Sequence, residues 1–174
     1  MNKHTQQEIE RQPQLWQFTF ELIEKRSTEI KAYLQPIMDK SDLQIILAGA
    51  GSSAFIGESA QGIIQQQTGC MTRAIATTDI VTHPESFFRP KQPTLLISFA
   101  RSGNSPESLE TLKLADQFCE EIFHLVITCN KDGELAKYTL AHPKTSFSLI
   151  LPEDANDKSL AMTGSFSTML LSVL

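Results

Sequence analysis

Short apolar runs alternate with stretches of helical spacing along this chain, and this alternation limits its fold more than any other feature. The apolar runs cover residues 43–48, 71–76, 93–98, 122–128 and 146–151. Helical stretches follow at 54–67, 106–118 and 164–174. Apolar strands that alternate with helices form βαβ units, and the parallel sheet of such units is buried on both faces. The sequence therefore predicts an α/β fold with a five-stranded parallel sheet flanked by helices.

A long amphipathic helix is predicted ahead of this sheet. Apolar residues recur at helical spacing from Pro13 to about Met38, and proline suits the first turn of a helix because its missing N–H needs no partner there. We therefore divide the chain into an N-terminal helical segment, 1–40, and an α/β domain, 41–174. The apolar, uncapped end at 169–174 indicates either a domain truncated at its C-terminus or a helix buried in an oligomer.

The composition argues against several classes of protein. The 15 basic and 20 acidic residues leave a net charge of −5, whereas nucleic-acid-binding modules carry a basic surplus. No apolar run approaches the ~20 residues that span a bilayer, and the polar start, 1–14, lacks the apolar core of a signal peptide. The three cysteines are dispersed and form no disulfide or zinc pattern. We expect a cytoplasmic protein with no metal, cofactor, nucleic-acid partner or membrane partner.

Two serine-rich turns each follow a predicted strand and open a helix. They are Gly49-Ala-Gly51-Ser52-Ser53 and Arg101-Ser102-Gly103-Asn104-Ser105. Open parallel sheets bind ligands beyond the carboxyl ends of their strands, where free backbone N–H groups and the helix dipole favour an anion. One such turn is often no more than a tight helix cap. Two in one sheet favour a phosphate site built from hydroxyls and main-chain amides, so both turns are candidate binding loops.

Two missing sequence features argue against a nucleotide as the phosphate ligand. Gly49-x-Gly51-x-x-Ala54 fits the looser dinucleotide fingerprint, but that fingerprint also requires an acidic residue at the end of the second strand. In this chain the second strand ends at Ala76-Thr77-Thr78, and the first acidic residue, Asp79, follows later in the chain than the fingerprint requires. No Gly-Lys-Ser/Thr motif is present either. A small phosphorylated metabolite is therefore favoured, and a nicotinamide-dependent enzyme remains an alternative.

Several segments together resemble the sugar isomerase (SIS) domain family. Ser98-Phe-Ala-Arg-Ser102-Gly-Asn-Ser105-Pro-Glu-Ser108 is similar to its phosphosugar-binding loop, and Ala48-Gly-Ala-Gly-Ser-Ser-Ala-Phe-Ile-Gly57 to its first glycine loop. Ser159-Leu-Ala-Met-Thr-Gly-Ser-Phe-Ser-Thr168 resembles the segment that closes over the sugar. With Glu8-Ile-x-x-Gln12-Pro13-x-Leu-Trp16, Thr77-Thr-Asp79 and Ile127-Thr-Cys-Asn130, the match points to the AgaS branch of tagatose-6-phosphate ketose/aldose isomerases and galactosamine-6-phosphate deaminases/isomerases.

The resemblance implies a flavodoxin/Rossmann-like fold and a set of substrate contacts. It places the phosphate on Ser102 and Ser105 with the loop backbone at Gly103 and Asn104. The remaining expected contacts are Gly51, Ser52, Ser53, Ala161 (through its backbone) and Thr163. Arg101 stands where relatives that make glucosamine 6-phosphate have glutamine, so it is expected either to add charge at the phosphate or to pair with Glu107.

One departure from the family pattern leaves the catalytic residues unknown. Members of this branch have two SIS domains and about twice this length, and their acid/base glutamate lies in the second domain. The chain therefore resembles the N-terminal, phosphosugar-binding portion of an aldose–ketose isomerase or deaminase, without the base. Whether it is an enzyme by itself stays open, and a non-catalytic sugar-phosphate-binding or regulatory module is the alternative. The family also implies a dimer, as do the apolar residues Trp16 and Phe20 of the first helix.

Isomerisation needs a base beside the carbonyl carbon and a proton donor at its oxygen, and few groups here fit. His83 lies in the stretch 77–93, which is expected to be a long loop near the sheet edge, although a solvated histidine is the simpler interpretation. His124 falls inside a strand, where a core role is expected. Glu58 is expected to complement a helix N-terminus, and Asp79 to order the following loop.

Overall fold

The computed structural model describes residues 3–174, so the first two residues of the predicted segment 1–40 lie outside it. The described part contains a five-stranded sheet with helices on both faces. Its strands are β1 Gln44–Gly49, β2 Met71–Ala76, β3 Thr94–Ala100, β4 Ile122–Thr128 and β5 Ser146–Ile150. Its helices are α1 Lys3–Glu10, α2 Gln12–Met38, α3 Ala54–Thr68, α4 Thr77–Thr82, α5 Pro106–Phe118, α6 Glu134–Ala141 and α7 Gly164–Val173.

The sheet is wholly parallel, and its strand order is β2-β1-β3-β4-β5. This is the doubly wound order of flavodoxin-like folds, in which ligands bind where the order reverses, between β1 and β3. The register pairs Gly49 at the end of β1 with Phe99 near the end of β3. The predicted α/β class and five parallel strands are confirmed.

Alternate residues of the central strands build two separate cores, as a sheet covered on both faces requires. On one face, side chains such as Leu47, Ile97 and Ile127 pack with α2, α3 and α7. On the other face, Ile46, Leu96 and Val126 pack with α4, α5 and α6. β1 and β3 are buried along their whole length. The β1–β3 boundary is therefore rigid, and it can hold attached loops in a defined position.

The long N-terminal helix α2 packs against the sheet and contributes to the first core. Leu15 and Ile37, near its two ends, are buried in the first core. Between them, the Tyr33 hydroxyl lies within hydrogen-bond distance of the carbonyls of His124 (2.9 Å) and Thr145 (3.0 Å). Its one proton is donated to this pair, which joins the helix to the amino-terminal side of β4 and β5. The helix predicted from Pro13 to Met38 is confirmed, with α1 directly before it.

Two stretches differ from the expectation. The long loop expected at 77–93 contains α4 and a 3-10 turn, Pro84–Ser86, and buries Ile80 and Phe88. Helix α6 was not predicted at all. Each element is eight residues or shorter, which is too short for a periodic pattern to develop, and such helices depend on tertiary packing for stability.

Candidate functional site

The two serine-rich turns meet at the point where the strand order reverses. The turn after β1 leads into α3 on one face of the sheet, and the turn after β3 leads into α5 on the other face. Between them lies a cleft of about 150 Å³, bounded on its third side by the chain that follows β5. Its lining residues are Ala50, Ser53, Phe99, Ala100, Arg101, Ser102, Ser105, Ser108 and Met162.

The first turn is shaped by two glycines. Gly51 has a φ of +53°, in the left-handed region that side chains disfavour. A Cβ at Gly49 would lie 2.5 Å from the backbone carbonyl group of Ser53, so any side chain there would push the turn away from the sheet. As a result the turn folds tightly onto the strand end, with Ser53 buried at the cleft and Ser52 exposed to solvent.

The second turn is supported from behind by the chain around α6. Gly103 has a φ of +65°, and its carbonyl accepts the N–H of Leu135 at 3.0 Å. The Asn104 side chain accepts the N–H of Glu134 at 3.0 Å, and the Asn130 side chain donates to the carbonyl of Ser102 at 2.8 Å. These contacts engage the backbone and amide groups on the far side of the turn. The Ser102 and Ser105 side chains lie on the cleft side.

The amino end of α5 opens directly onto the cleft. Ser105 is the N-cap residue, and Pro106 occupies the first turn. The Ser105 hydroxyl lies 2.6 Å from the hydroxyl of buried Ser108, one turn further on. Because one of the two hydroxyls donates to the other, the pair has one proton left for a ligand. The partial positive charge at the start of this 13-residue helix favours an anion there.

Arg101 joins the second turn to the segment after β5. Its Nη1 donates to the carbonyl of Ser159 at 3.0 Å, so its guanidinium is held by this contact rather than by the Glu107 considered from sequence. Among the residues that line the cleft, it is the one with an ionisable side chain. The cleft therefore combines hydroxyl donors, a helix N-terminus and one cation.

The segment 157–165 is ordered by the buried carboxylate of Asp157. This carboxylate accepts the N–H groups of Thr163, Gly164 and Ser165 and the hydroxyls of Thr163 and Ser165, at 2.6–3.2 Å. Burial raises the pKa of Asp157, but these hydrogen bonds outweigh it and hold the pKa below its usual value. Asp157 thus caps α7 and curls the segment so that Met162 reaches the cleft, 3.8 Å from the Ser53 hydroxyl.

The structure brings together some of the predicted site residues and not others. Ser53, Arg101, Ser102 and Ser105 line the cleft. Gly51, Ser52, Gly103, Asn104, Ala161 and Thr163 lie in the surrounding turns without lining it, and the Thr163 hydroxyl donates to Asp157. The lining residues not predicted are Ala50, Phe99, Ala100, Ser108 and Met162. Ser108 had a recognisable signal, because it stands one helical turn after the N-cap serine.

Comparison with known proteins connects this geometry to a family. The family model described as SIS domain matches residues 37–174, which is most of the chain. The chain belongs to the SIS domain family. The predicted resemblance is thereby confirmed, and the matched range contains both turns and the segment 157–165.

Relatives of this SIS domain are named as enzymes of amino-sugar and ketose phosphates. It is 46% identical over 173 residues to D-galactosamine-6-phosphate deaminase AgaS of Shewanella sp. (strain ANA-3), and 42% identical over 170 residues to the Escherichia coli protein of that name. The crystal structure of tagatose-6-phosphate ketose/aldose isomerase from Escherichia coli superposes with a TM-score of 0.95 at 41% identity. Each match covers 98% of this chain, but 44% of the two deaminases and 46% of the isomerase chain.

The candidate acid–base groups of this SIS domain stand apart from the cleft. His83, Asp79 and Glu58 are exposed and do not line it. His124 is fully buried, and its Nε2 lies 2.9 Å from a carboxylate oxygen of Asp116. Burial raises the pKa of Asp116, but hydrogen bonds from His124 and Tyr138 keep it below the usual range. This histidine sits near the amino end of β4, which is the sheet edge opposite the cleft.

In the described part of the chain, residues 3–174, no three His, Cys, Asp or Glu side chains form a group that could hold a metal ion. Over the same residues, no helix has both the length and the apolar character needed to cross a membrane.

The cysteines of this SIS domain should differ sharply in reactivity. Cys129 follows β4 and is buried; burial, reinforced by the charge of Asp157, raises the pKa of its thiol to about 12. Burial also raises the pKa of Cys119, whereas Cys70 is partly exposed. Because the thiolate is the reactive form, we expect an aromatic disulfide reagent to modify Cys70 first in the native protein. The other two thiols should react only in urea.

This expectation is checked by the absorbance of the released aromatic thiolate over time. Cys70→Ser should abolish the reaction of the native protein and leave unchanged the two thiols that react in urea. Rapid reaction of all three thiols in the native protein would contradict the burial described above.

Proposed function

We propose that this SIS domain binds the phosphate group of a hexose or amino-hexose 6-phosphate in the cleft between β1 and β3. The supporting observation is the convergence of two serine-rich turns and a helix N-terminus on one cleft at the switch point of the sheet. Ser102 and Ser105 donate their hydroxyl protons to the phosphate oxygens. The backbone of Gly103 and Asn104 completes the phosphate cradle.

Arg101 supplies the positive charge that a dianionic phosphate requires. Its guanidinium lies at the cleft, and its contact with the Ser159 carbonyl uses one donor of several. The others remain available to an anion. A charge-assisted hydrogen bond is roughly twice as strong as a neutral one, so Arg101 adds to the phosphate affinity without being its sole determinant.

The remaining proposed contacts hold the sugar chain beyond the phosphate. Ser53 lines the cleft, and Ser52, its neighbour in the same turn, is exposed to solvent. Thr163 donates its hydroxyl proton to Asp157, so towards a sugar it acts as a hydrogen-bond acceptor. Ala161 is an exposed residue next to Met162, and we propose that its backbone contacts the sugar. These groups recognise hydroxyls by position, which suits an open-chain or ring sugar better than a flat base.

The reaction that we infer for the complete protein is aldose–ketose isomerisation, with loss of ammonia where the substrate is an amino sugar. The relatives named as tagatose-6-phosphate isomerase and galactosamine-6-phosphate deaminase support this class. The chain spans less than half of their length. No carboxylate or imidazole belongs to the described lining of the cleft, so we place the proton-transferring base outside residues 3–174.

That same lining favours a second candidate, a sugar-phosphate-binding module without catalysis. The two candidates share the phosphate site and differ in turnover. Galactitol 6-phosphate has neither a carbonyl nor an amino group, so it measures binding without reaction. D-galactosamine 6-phosphate and D-tagatose 6-phosphate, assayed for ammonia release and for ketose–aldose conversion, measure catalysis.

Calorimetry and these assays on the full-length protein test the proposal. We expect binding of galactitol 6-phosphate, no binding of NAD, and turnover of at least one of the two substrates. Binding without turnover would favour the non-catalytic module. Failure to bind galactitol 6-phosphate, or binding of NAD in its place, would contradict the phosphosugar assignment.

We further infer a cytoplasmic homodimer. On α2, Trp16 and Phe20 are 42% and 55% exposed, and exposed aromatic residues on one helix favour association. The charge of a phosphorylated sugar prevents its passage through a bilayer. We therefore infer that the protein meets this ligand in the cytoplasm.

A further inference from the structure

Ser108 is a buried serine of α5 that lines the cleft without belonging to either serine-rich turn. It is 2% exposed, whereas Ser105, one helical turn earlier, is partly exposed. The two hydroxyl oxygens are 2.6 Å apart, which is within the range of O–H···O hydrogen bonds. Each hydroxyl has one proton to donate, so the direction of this bond decides what the pair offers to a ligand.

The Ser105 hydroxyl is not used to cap α5. An N-cap serine ordinarily accepts a backbone N–H of the first turn with its side-chain oxygen, but among the described residues no such bond reaches the Ser105 side chain. The N–H groups of Ser108 and Leu109 reach the Ser105 carbonyl instead, at 3.1 and 3.2 Å. The Ser105 hydroxyl oxygen can therefore accept the proton of Ser108.

The two hydroxyls differ in what surrounds them. Within residues 3–174, the hydrogen-bond partner of the Ser108 hydroxyl is that of Ser105. If Ser105 donated, the Ser108 proton would be buried without an acceptor, which is unfavourable. If Ser108 donates, its proton is satisfied, and Ser105 keeps its own proton at the open cleft, where an anion can accept it. The burial of Ser108 therefore favours donation from Ser108 to Ser105.

We propose that Ser108 is a positioning residue of the phosphosugar site: by donating to the Ser105 hydroxyl, it directs the Ser105 proton to the phosphate and strengthens that hydrogen bond. Hydrogen bonds in a chain polarise one another, and here the last acceptor is an anion. This inference rests on the proposed function, in which Ser105 donates to the phosphate. It extends the phosphate site from the turn after β3 into the body of α5.

The variant Ser108→Ala removes the donor and leaves the Ser105 hydroxyl in place. A torsion between tetrahedral atoms has three staggered positions, so losing the fixed orientation weakens binding roughly threefold, and losing the polarisation adds to this. In the full-length protein we expect affinity for galactitol 6-phosphate to fall about three- to tenfold by isothermal titration calorimetry. Inorganic phosphate, measured by competition with galactitol 6-phosphate, should lose affinity by a similar factor because the effect lies on the phosphate.

A double-mutant cycle tests whether Ser108 acts through Ser105. If it does, Ser105→Ala/Ser108→Ala should bind galactitol 6-phosphate within about twofold of Ser105→Ala alone, because the hydroxyl that Ser108 directs is already absent. A Ser108 hydroxyl that contacted the phosphate directly, or that only maintained the shape of α5, would give the same loss in both backgrounds. The cycle thus separates positioning from the other two roles.

Thr111→Val is the matched control on the same helix. Thr111 is also buried in α5, one turn beyond Ser108, but it does not line the cleft, and its hydroxyl donates to the Glu107 carbonyl. Valine keeps the shape of the side chain and removes the hydroxyl. Affinity for galactitol 6-phosphate should stay within about twofold of the wild type, although the thermal stability of the variant can change.

The possible outcomes distinguish this inference from the proposed function. Wild-type protein that does not bind galactitol 6-phosphate would overturn the function itself. Wild-type binding together with unchanged affinity in Ser108→Ala, or an equal loss in the presence and absence of the Ser105 hydroxyl, would overturn the role of Ser108 alone. If a thermal melt shows that Ser108→Ala is unfolded, Ser108→Cys decides by the same comparisons, since its thiol fills the space and is a weak donor.

Discussion

Replacing Ser102 and Ser105 together by alanine should weaken the binding of galactitol 6-phosphate by at least about 100-fold. A hydrogen bond to a charged group contributes about 1.5–3 kcal/mol, so loss of two removes roughly 3–6 kcal/mol, or two to four orders of magnitude in affinity. The effect should exceed that of either single variant. Isothermal titration calorimetry of the full-length protein measures it, and a thermal melt checks that the variant is folded.

Ser59→Ala is the matched control for this pair. Its hydroxyl donates to the Phe55 carbonyl within α3, on the exposed side of the helix and away from the cleft. Affinity for galactitol 6-phosphate should be unchanged. Wild-type affinity in the Ser102→Ala/Ser105→Ala variant would remove the phosphate site from this cleft, and with it the assignment of Arg101 and the helix N-terminus of α5.

The largest expected effect on stability is that of Asp157→Ala. The Asp157 carboxylate accepts five hydrogen bonds from Thr163, Gly164 and Ser165. Losing a helix N-cap costs about 0.5–2 kcal/mol, and each buried donor left without a partner adds about 1–3 kcal/mol. We expect a free energy of unfolding lower by about 3–5 kcal/mol. Urea unfolding followed by circular dichroism measures the difference.

This contribution should depend on pH in one direction only. The hydrogen bonds keep the folded-state pKa of Asp157 below the unfolded-state value near 3.8, despite the opposing effect of burial. Stabilisation by Asp157 is therefore complete above the unfolded-state pKa and is lost as the pH falls through the folded-state pKa. The difference between wild type and Asp157→Ala should be full at about pH 7 and smaller at about pH 3.

Asp154→Ala provides the comparison for Asp157. Asp154 is three residues earlier, its side chain is 75% exposed, and its nearest basic partner is Arg11 at 3.9 Å. Exposed pairs contribute about 0–1 kcal/mol, so this variant should unfold nearly as the wild type does. Equal stability of the two variants, or a loss in Asp157→Ala that grows as the pH falls, would contradict the capping role of Asp157.

The parts of the fold that could be predicted are those with long or strongly apolar patterns. β1 and β3 are buried on both faces and show as continuous apolar runs. The 27-residue α2 has enough turns for its periodicity to be evident. α4 and α6 have six and eight residues. These two helices are held by buried residues such as Ile80 and Leu135, whose partners on the sheet are distant in sequence. A local sequence pattern therefore does not predict them.

The residues of the candidate site also differ in whether a local sequence pattern could predict them. Ser102 and Ser105 could be predicted because a strand, a glycine and a helix N-cap surround them within a few residues. The contact between Arg101 and Ser159 could not be predicted, since the two residues are 58 positions apart in the chain. Met162 lines the cleft because Asp157 curls its segment. Glu8 is linked to that segment across 150 residues, and nothing near it in the chain indicates that it is buried.

By itself, the sequence determined the α/β class, the five strands, the two serine-rich turns and the SIS resemblance, because each follows from patterns within roughly 10–20 neighbouring residues. Only the tertiary structure decided that the two turns share one cleft, that Arg101 bridges to Ser159, and that Glu8 and Asp157 hold the segment beside that cleft. The physical reason is that hydrogen bonds between buried polar groups depend on distances between segments. Those distances are set by the strand order and by the packing of α2 and α7 on the sheet.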